Sequence, residues 1–496
     1  MMSGVKRISV LFVLSVFFGV NSYFWAIASP IGSGIDDDFH LPSIWCANGD
    51  QKDICETVIK GDGFVKVPAP LVNAPLCISY QNYKSANCIY EILAADIVLE
   101  VGRANEMKRF PDGYYKIHNL LITKNIESSI INMRLLNSFI FLCCVLIGFY
   151  VTTWVFKWNF ILITFLLSTP YALSIIISNN PSSWLISSMI LLTASLFSLL
   201  DEVKKSKITL GIFLVVFCFL LSFASRSEGP LYLSIVSTVF SLIFFKRINR
   251  LVMLSIILLC ALSAYSTINQ PSTLGISTGL SSTGVPEDPS LWFFSVISEF
   301  PRFFYGVFGS WGFGWMDFEM PVSVYFFFIL FFIGLIFSNL PLIQSNFLIF
   351  STLNLCAITL LVLRVMYLSS NVVGVNIQPR YLLPFLFPVI GSLLIYIPNL
   401  INKNMMTLYV FIFFSGISYL ISFHFWVQHF TAGSNNFALN LNSNFEWWWD
   451  SFLLPTPLWI LSTLLYVSIL LFCILGSSTT RPPVRALHSK KSNLIY

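Results

Sequence analysis

Long apolar runs separated by short polar connectors dominate the chain, and each run is close to the ~20 residues a helix needs to cross the hydrocarbon core of a bilayer. They lie near residues 8–28, 135–156, 159–177, 182–200, 208–225 and 230–245, then near 251–268, 322–338, 346–365, 382–398, 405–423 and 457–476. The pattern predicts an all-α polytopic membrane protein of about twelve transmembrane helices, one membrane domain spanning residues 1–480. Connectors carrying Lys6-Arg7, Lys157, Lys204-Lys205, Lys207, Lys246-Arg247, Arg250 and Lys403 all fall on one side of that arrangement, as does a basic tail over 481–496. An excess of Lys and Arg marks the cytoplasmic face, so both termini are expected there. The first run could instead be a cleaved signal peptide, because Ala26-Ile27-Ala28 has the small-x-small form of a cleavage site. Its length exceeds the roughly 7–15 residues of a signal core, which favours an uncleaved anchor.

Composition agrees: of 496 residues 56% are hydrophobic and only 10% charged, which excludes a soluble enzyme. The net charge of +5 is spread over separate connectors rather than gathered in one patch, so nucleic acid is not an expected partner and the lipid bilayer is. Neither a GxGxxG fingerprint nor a GxxxxGK[ST] phosphate loop is present.

The large polar region, 29–134, lies between the first two runs, which places it outside the cytoplasm as a first periplasmic loop. It carries Cys46, Cys55, Cys77 and Cys88, four of the ten cysteines. An oxidising compartment predicts two disulfides among them, in any of three pairings. A zinc site is the alternative, but the spacings match no zinc pattern.

Candidate chemistry begins directly after the first run, at Asp36-Asp37-Asp38-Phe39-His40. Adjacent carboxylates repel, which raises proton affinity or recruits a hard cation such as Mg or Mn. The cluster therefore suits a general base, or a divalent metal held by Asp36 and Asp37. The plainer reading is an acidic turn whose Asp caps the following helix. On the same outer side, Arg226, Arg302, Arg364 and Arg380 oppose the charge trend, and guanidinium groups at a membrane edge suit phosphate. Residues 291–318 interleave aromatics with glycines and read as an interfacial or re-entrant segment; Trp447-Trp448-Trp449 form a second aromatic group. Both fit an interfacial belt, or rings that stack on a sugar or grip an isoprenoid chain.

Five stretches in order resemble a family of bacterial polytopic membrane proteins assigned to the GT-C class of glycosyltransferases. They are Asp36-Asp37-Asp38-Phe39-His40, Arg134-Leu135-Leu136-Asn137, Gly312-Phe313-Gly314-Trp315-Met316-Asp317, Gln378-Pro379-Arg380-Tyr381-Leu382-Leu383-Pro384, and Trp447-Trp448-Trp449 with Pro455. Asp37 stands where that family has Glu, and Pro379 where it has Gly. The resemblance implies a GT-C-like fold in the inner membrane and a polyprenyl-phosphate sugar donor, with transfer to a cell-envelope glycan or lipid acceptor. Under it Asp36, Asp37 and His40 are the catalytic candidates. Arg380, Arg302, Arg226, Gln378 and Tyr381 are candidates for the donor phosphate, and Trp315, Asp317 and Trp448 for substrate. Competing classes are a transporter or flippase of lipid-linked sugars, and a surface-polysaccharide polymerase or ligase.

Overall fold

A computed structural model describes residues 4–51, 54–59, 62–95, 97–108, 110–200, 205–269, 288–317, 319–368, 373, 377–398, 400–403, 405–434, 436–449 and 453–478. The basic tail 481–496 and Asp450 lie outside the described residues.

Helix α1 (Gly4–Ile27) leads into an elaborate region holding α2 (Asp37–Trp45), β1 (Glu56–Thr57), β2 (Val65–Pro68), α3 (Pro70–Ile78), α4 (Cys88–Ala94), β3 (Val98–Val101) and α5 (Asp112–Asn119). The helical bundle resumes with α6 (Ile126–Val151), α7 (Lys157–Leu167), α8 (Pro170–Ile176), α9 (Ser182–Ser198), α10 (Lys205–Ser225), α11 (Gly229–Phe244) and α12 (Arg250–Asn269). It continues through α13 (Pro289–Gly306), α14 (Val322–Asn339), α15 (Ser345–Leu368), α16 (Leu383–Leu386), α17 (Ser392–Ile395), α18 (Leu400–Lys403), α19 (Met405–Ala432) and α20 (Pro455–Ser478).

All the apolar runs fall on helical structure, but they are not equal. Among the described residues 7 helices are long and apolar enough to cross a membrane, and α7 with α8, bent by 88° at their junction, makes up to 8. Ser182–Ser198, Gly229–Phe244, Arg250–Tyr265 and Pro379–Ile395 are shorter apolar helices. The count of about twelve thus becomes seven or eight helices of spanning length with four shorter companions. Proline explains part of the difference. Pro170 opens α8 after a break, and Pro379, Pro384 and Pro388 cut the stretch 379–395 into short turns, one of them a π turn at Phe387–Gly391.

An all-α fold is corrected by the polar region, where β1, β2 and β3 form an antiparallel sheet in the order β1-β2-β3, with Val65 opposite Val101. The signal was local: Val65 and Val67 are buried and Lys66 exposed, the period-two alternation of a half-buried strand. Two disulfides fasten this region, Cys46–Cys55 and Cys77–Cys88, with Cα–Cα separations of 5.2 and 6.5 Å.

In the bundle, α9 is buried along its whole length. Several of its hydroxyls bond to the helix's own backbone. Ser187 Oγ donates to the Ser183 carbonyl (2.8 Å), Thr193 Oγ1 to Met189 (2.9 Å) and Ser198 Oγ to Ser195 (2.7 Å), while small side chains let neighbouring helices approach. A second polar knot joins α1, α19 and α20: Tyr419 Oη accepts from Trp25 Nε1 (2.6 Å), donates to Asn21 Oδ1 (2.9 Å) and lies 2.8 Å from Ser462 Oγ.

Candidate functional site

The acidic motif is shaped by the end of α1. Arg134, buried on α6, donates to the carbonyls of Ala26 (3.0 Å), Ser29 and Pro30 (2.9 Å), so one guanidinium collects the carbonyls at and beyond the helix C-terminus. The turn that follows needs glycine twice. Gly32 has φ +79°, and a Cβ there would lie 2.4 Å from the Pro75 nitrogen; a Cβ on Gly34 would lie 2.7 Å from Asp37 Oδ1.

Asp37 is wholly buried, accepts from the Gly34 amide (2.9 Å) and lies 4.0 Å from Arg134. Burial pushes its carboxyl up to about 7, against the pull of Arg134. Asp36 occupies the N-cap position of α2 in the left-handed region (φ 60°), yet its side chain makes no cap hydrogen bond. The simple capping reading therefore fails for this residue. Its carboxylate instead takes Arg380 Nη2 at 2.5 Å on one oxygen and Arg103 at 3.7 Å on the other. Burial opposes ionisation, but Arg380 and then Arg103 hold Asp36 well below the usual carboxylate range. Arg103 also pairs with Asp38 at 3.1 Å. His40 Nδ1 lies 3.1 Å from the Tyr115 hydroxyl, and burial drives the imidazole down to about 3, leaving it neutral.

The late motif closes the site from the far side. Arg380 is 3% exposed, and its Nε and Nη1 have no hydrogen-bond partner among the described residues; the same holds for His40 Nε2, Asp37 Oδ1 and Gln378 Oε1. Tyr381 presents its ring to two guanidiniums, with Arg380 at 5.3 Å and Arg226 at 5.5 Å from the centroid. Arg226 is also held by Glu228 (2.5 Å) and by Ser182 Oγ at the start of α9 (3.1 Å). Next to it, Asn180 donates to the Ile35 carbonyl (3.2 Å), while both polar atoms of the buried Asn179 side chain have no hydrogen-bond partner among the described residues.

Asp36, Asp37, His40, Arg380, Arg226 and Tyr381 are thus brought together, with Gln378 at the edge, and Trp315 reaches the same turn by donating to the Gly32 carbonyl (2.8 Å). Arg302 stands apart: exposed, 3.8 Å from Glu299 and packed over Trp311. Trp448 is a buried clamp, its amide donating to the Tyr90 hydroxyl (3.1 Å) and its indole to Leu453 (2.9 Å). The cation expected at Asp36 and Asp37 is not matched by a donor set. Among the described residues no group of three or more His, Cys, Asp or Glu is placed to hold a metal ion. Both oxygens of Asp36 already face guanidiniums, and Asp37 is turned into its own loop.

Sequence reasoning missed Arg103 and Tyr115, and gave Arg134 no role beyond its place in a motif. Arg134 was findable, because a charge entering the apolar part of a membrane helix requires a partner. We expect Arg134→Ala to destabilise the protein by ~3–5 kcal/mol, since it strips a buried carboxyl of its counter-charge and frees the α1 carbonyls. Thermal unfolding of the detergent-solubilised variant checks this.

A family model described as "Predicted membrane protein (DUF2142)" matches residues 17–389. The chain belongs to that family. The DUF2142 match begins inside α1 and runs past Arg380, so every residue just assembled around Asp36 lies within it, whereas Trp448 lies outside. No curated protein and no solved structure is detectably similar to the chain.

Proposed function

We propose that this DUF2142 protein is a GT-C-type membrane glycosyltransferase. It transfers a sugar from a polyprenyl-phosphate-linked donor to a cell-envelope glycan or lipid acceptor on the periplasmic side of the bacterial inner membrane. The observation that carries the reading is the contact between Asp36 and Arg380. Residues 344 positions apart bring a carboxylate and a buried, incompletely satisfied guanidinium together at 2.5 Å, with a second guanidinium across Tyr381.

Such a pairing has both halves of the chemistry. The acceptor hydroxyl gives its proton to a carboxylate as its oxygen bonds to the anomeric carbon; the bond from that carbon to the phosphate oxygen breaks, and the lipid phosphate leaves with the electron pair. Arg380 and Arg226 neutralise the charge gathering on the leaving group. Asp36, partly exposed, is the base in this scheme, and Asp37, fully buried, is a positioning residue that fixes the turn. A donor phosphate that draws Arg380 to itself takes away the strongest stabiliser of ionised Asp36, which raises its proton affinity when the acceptor arrives. His40, neutral and stacked on Tyr115, does not carry the proton in this scheme. No step requires a metal ion. The two disulfides fit an oxidising compartment, which supports placing this region in the periplasm and both termini in the cytoplasm.

A flippase places ionisable residues along a mid-membrane path, whereas the carboxylates here lie in the polar region between α1 and α6. The deciding experiment reconstitutes the purified protein in vesicles with polyprenyl-phosphate sugars and acceptor glycans. Sugar transfer without net lipid movement is expected. Lipid movement without transfer selects the flippase.

A further inference from the structure

The loop bracketed by Cys77–Cys88 does more than close on itself. It is pinned to three distant parts of the chain: Asn82 to Asp317 and Ser434, Ser85 to Glu446 (2.5 Å), and Tyr90, just beyond, to Trp448. At its start Tyr80 stands in the left-handed region (φ 57°), as does Met316 (φ 58°) across from it. Two non-glycine residues held in this sparsely populated conformation at one junction are a local strain that the surrounding contacts must impose. The result is specific. The Tyr80 amide donates to Asp317 Oδ2 (2.8 Å), and Asn82 Nδ2 donates to the Asp317 carbonyl (3.3 Å). Tyr80 is 71% exposed, and its ring is tilted over the buried Trp315 with centroids 6.3 Å apart.

From this geometry we infer that Tyr80, Trp315, Asp317 and Asn82 form a saccharide-binding platform. An exposed aromatic ring, backed by a second ring and rimmed by a carboxylate and an amide, offers an apolar face for the C–H side of a pyranose and acceptors and donors for its hydroxyls. A carboxylate has about four acceptor positions, and the Tyr80 amide takes one of them. The negative rim disfavours an anionic lipid headgroup, so the ligand is a neutral or amino sugar unit. Trp315 ties the platform to the catalytic turn through the Gly32 carbonyl. Gly32 and Asp36 are four residues apart, at most ~14 Å even if extended, which keeps the turn that Trp315 contacts near the carboxylate. The platform's role as the acceptor subsite rests on the transferase reading; its affinity for saccharide does not.

The test is binding, measured by saturation-transfer NMR and calorimetry on the full-length protein in nanodiscs against a panel of hexoses, N-acetylhexosamines, pentoses and short β- and α-linked disaccharides. At least one sugar is expected to bind saturably. Tyr80→Gly, which suits the positive φ and keeps the amide bonded to Asp317 while removing the ring, is expected to weaken that binding by ~3–10-fold. Asp317→Asn is expected to weaken it comparably, Tyr80→Phe to preserve it, and Tyr83→Ala, an exposed ring on the same loop, to leave it unchanged. Absence of saturable binding across the panel overturns the platform, as does binding indifferent to Tyr80→Gly. Quenching of a Tyr80→Trp fluorophore by bromine-labelled lipid, unaffected by any sugar, overturns it in favour of an interfacial aromatic. Platform binding with no transfer in the vesicle assay leaves this site standing and removes the transferase reading; transfer indifferent to Tyr80→Gly leaves the transferase reading standing and removes the platform's role as its acceptor subsite.

Discussion

Asp36→Asn is expected to reduce sugar transfer by ~10²–10⁴-fold while leaving donor binding within a few-fold of the wild type. Asparagine keeps the shape and can still face Arg380, but it takes no proton from the acceptor. The companion substitution separates the two carboxyls. Asp37→Asn touches a side chain that is fully buried and bonded to the Gly34 amide, so its effect should appear in stability and its pH dependence rather than in the chemical step alone. The direction follows from the protonation states. Asp37, raised from 3.8 to about 7, binds more protons in the folded protein than in the unfolded chain over that interval. Its contribution is fully present below the unfolded value and is lost as pH rises through about 7. Asp36, lowered by Arg380 and Arg103 against its burial, acts oppositely: its contribution is present above the unfolded value and lost only in acid. Melting curves of the wild type and Asp37→Asn from pH 4 to 8 check the first statement, since the variant should lose the decline. Equal loss of transfer in both variants without any change in melting would show that Asp37, too, belongs to the reacting pair.

Much of this arrangement could be read before the fold was known, and the limits were physical. Hydropathy located every apolar helix, because a lipid-facing or lipid-buried helix must be apolar whatever its neighbours are. It could not distinguish a helix that spans from one that stops short. Ser182–Ser198 is as apolar as a span but is wrapped completely by protein, and its length is set by Pro181 at its start rather than by bilayer thickness. The small sheet was missed because its strands are two to four residues long, too short for alternation to stand out beside the helical signal. Asp36 and Arg380 were both legible as charges at the membrane edge. Their partnership was not, since it depends on how the 379–395 turns fold back against α13: a Cβ on Gly306 would lie 2.4 Å from Pro379 Cγ. Arg302 shows the converse error. It shares sequence context with Arg380, an aromatic segment beside proline, yet α13 points it outward to Glu299. Arg103 carried no pattern at all; only the sheet that precedes it puts it over Asp36 and Asp38.

Arg380 supplies the sharpest test of the charge-stabilisation half of the mechanism. Arg380→Ala should lower transfer by ~10²–10³-fold through loss of one contact to the departing phosphate. A second effect accompanies it, because Asp36 loses its closest counter-charge in a largely buried setting and its carboxyl rises toward and above the ordinary range. The variant should therefore show both weaker binding of polyprenyl phosphate and a pH–rate profile whose acid limb moves upward, a combination that a purely structural defect does not produce. Arg380→Lys keeps the positive charge but loses the planar fork that can face Asp36 with one edge and phosphate with another, so it should recover phosphate binding better than rate. Arg302→Ala, at an exposed position away from the cluster, is the control and should transfer at nearly the wild-type rate. Should Arg302→Ala match Arg380→Ala in severity, the phosphate lies along α13 rather than at Tyr381. Should Arg380→Ala leave both donor binding and turnover intact, the contact between Asp36 and Arg380 is a structural ion pair and the catalytic assignment falls with it.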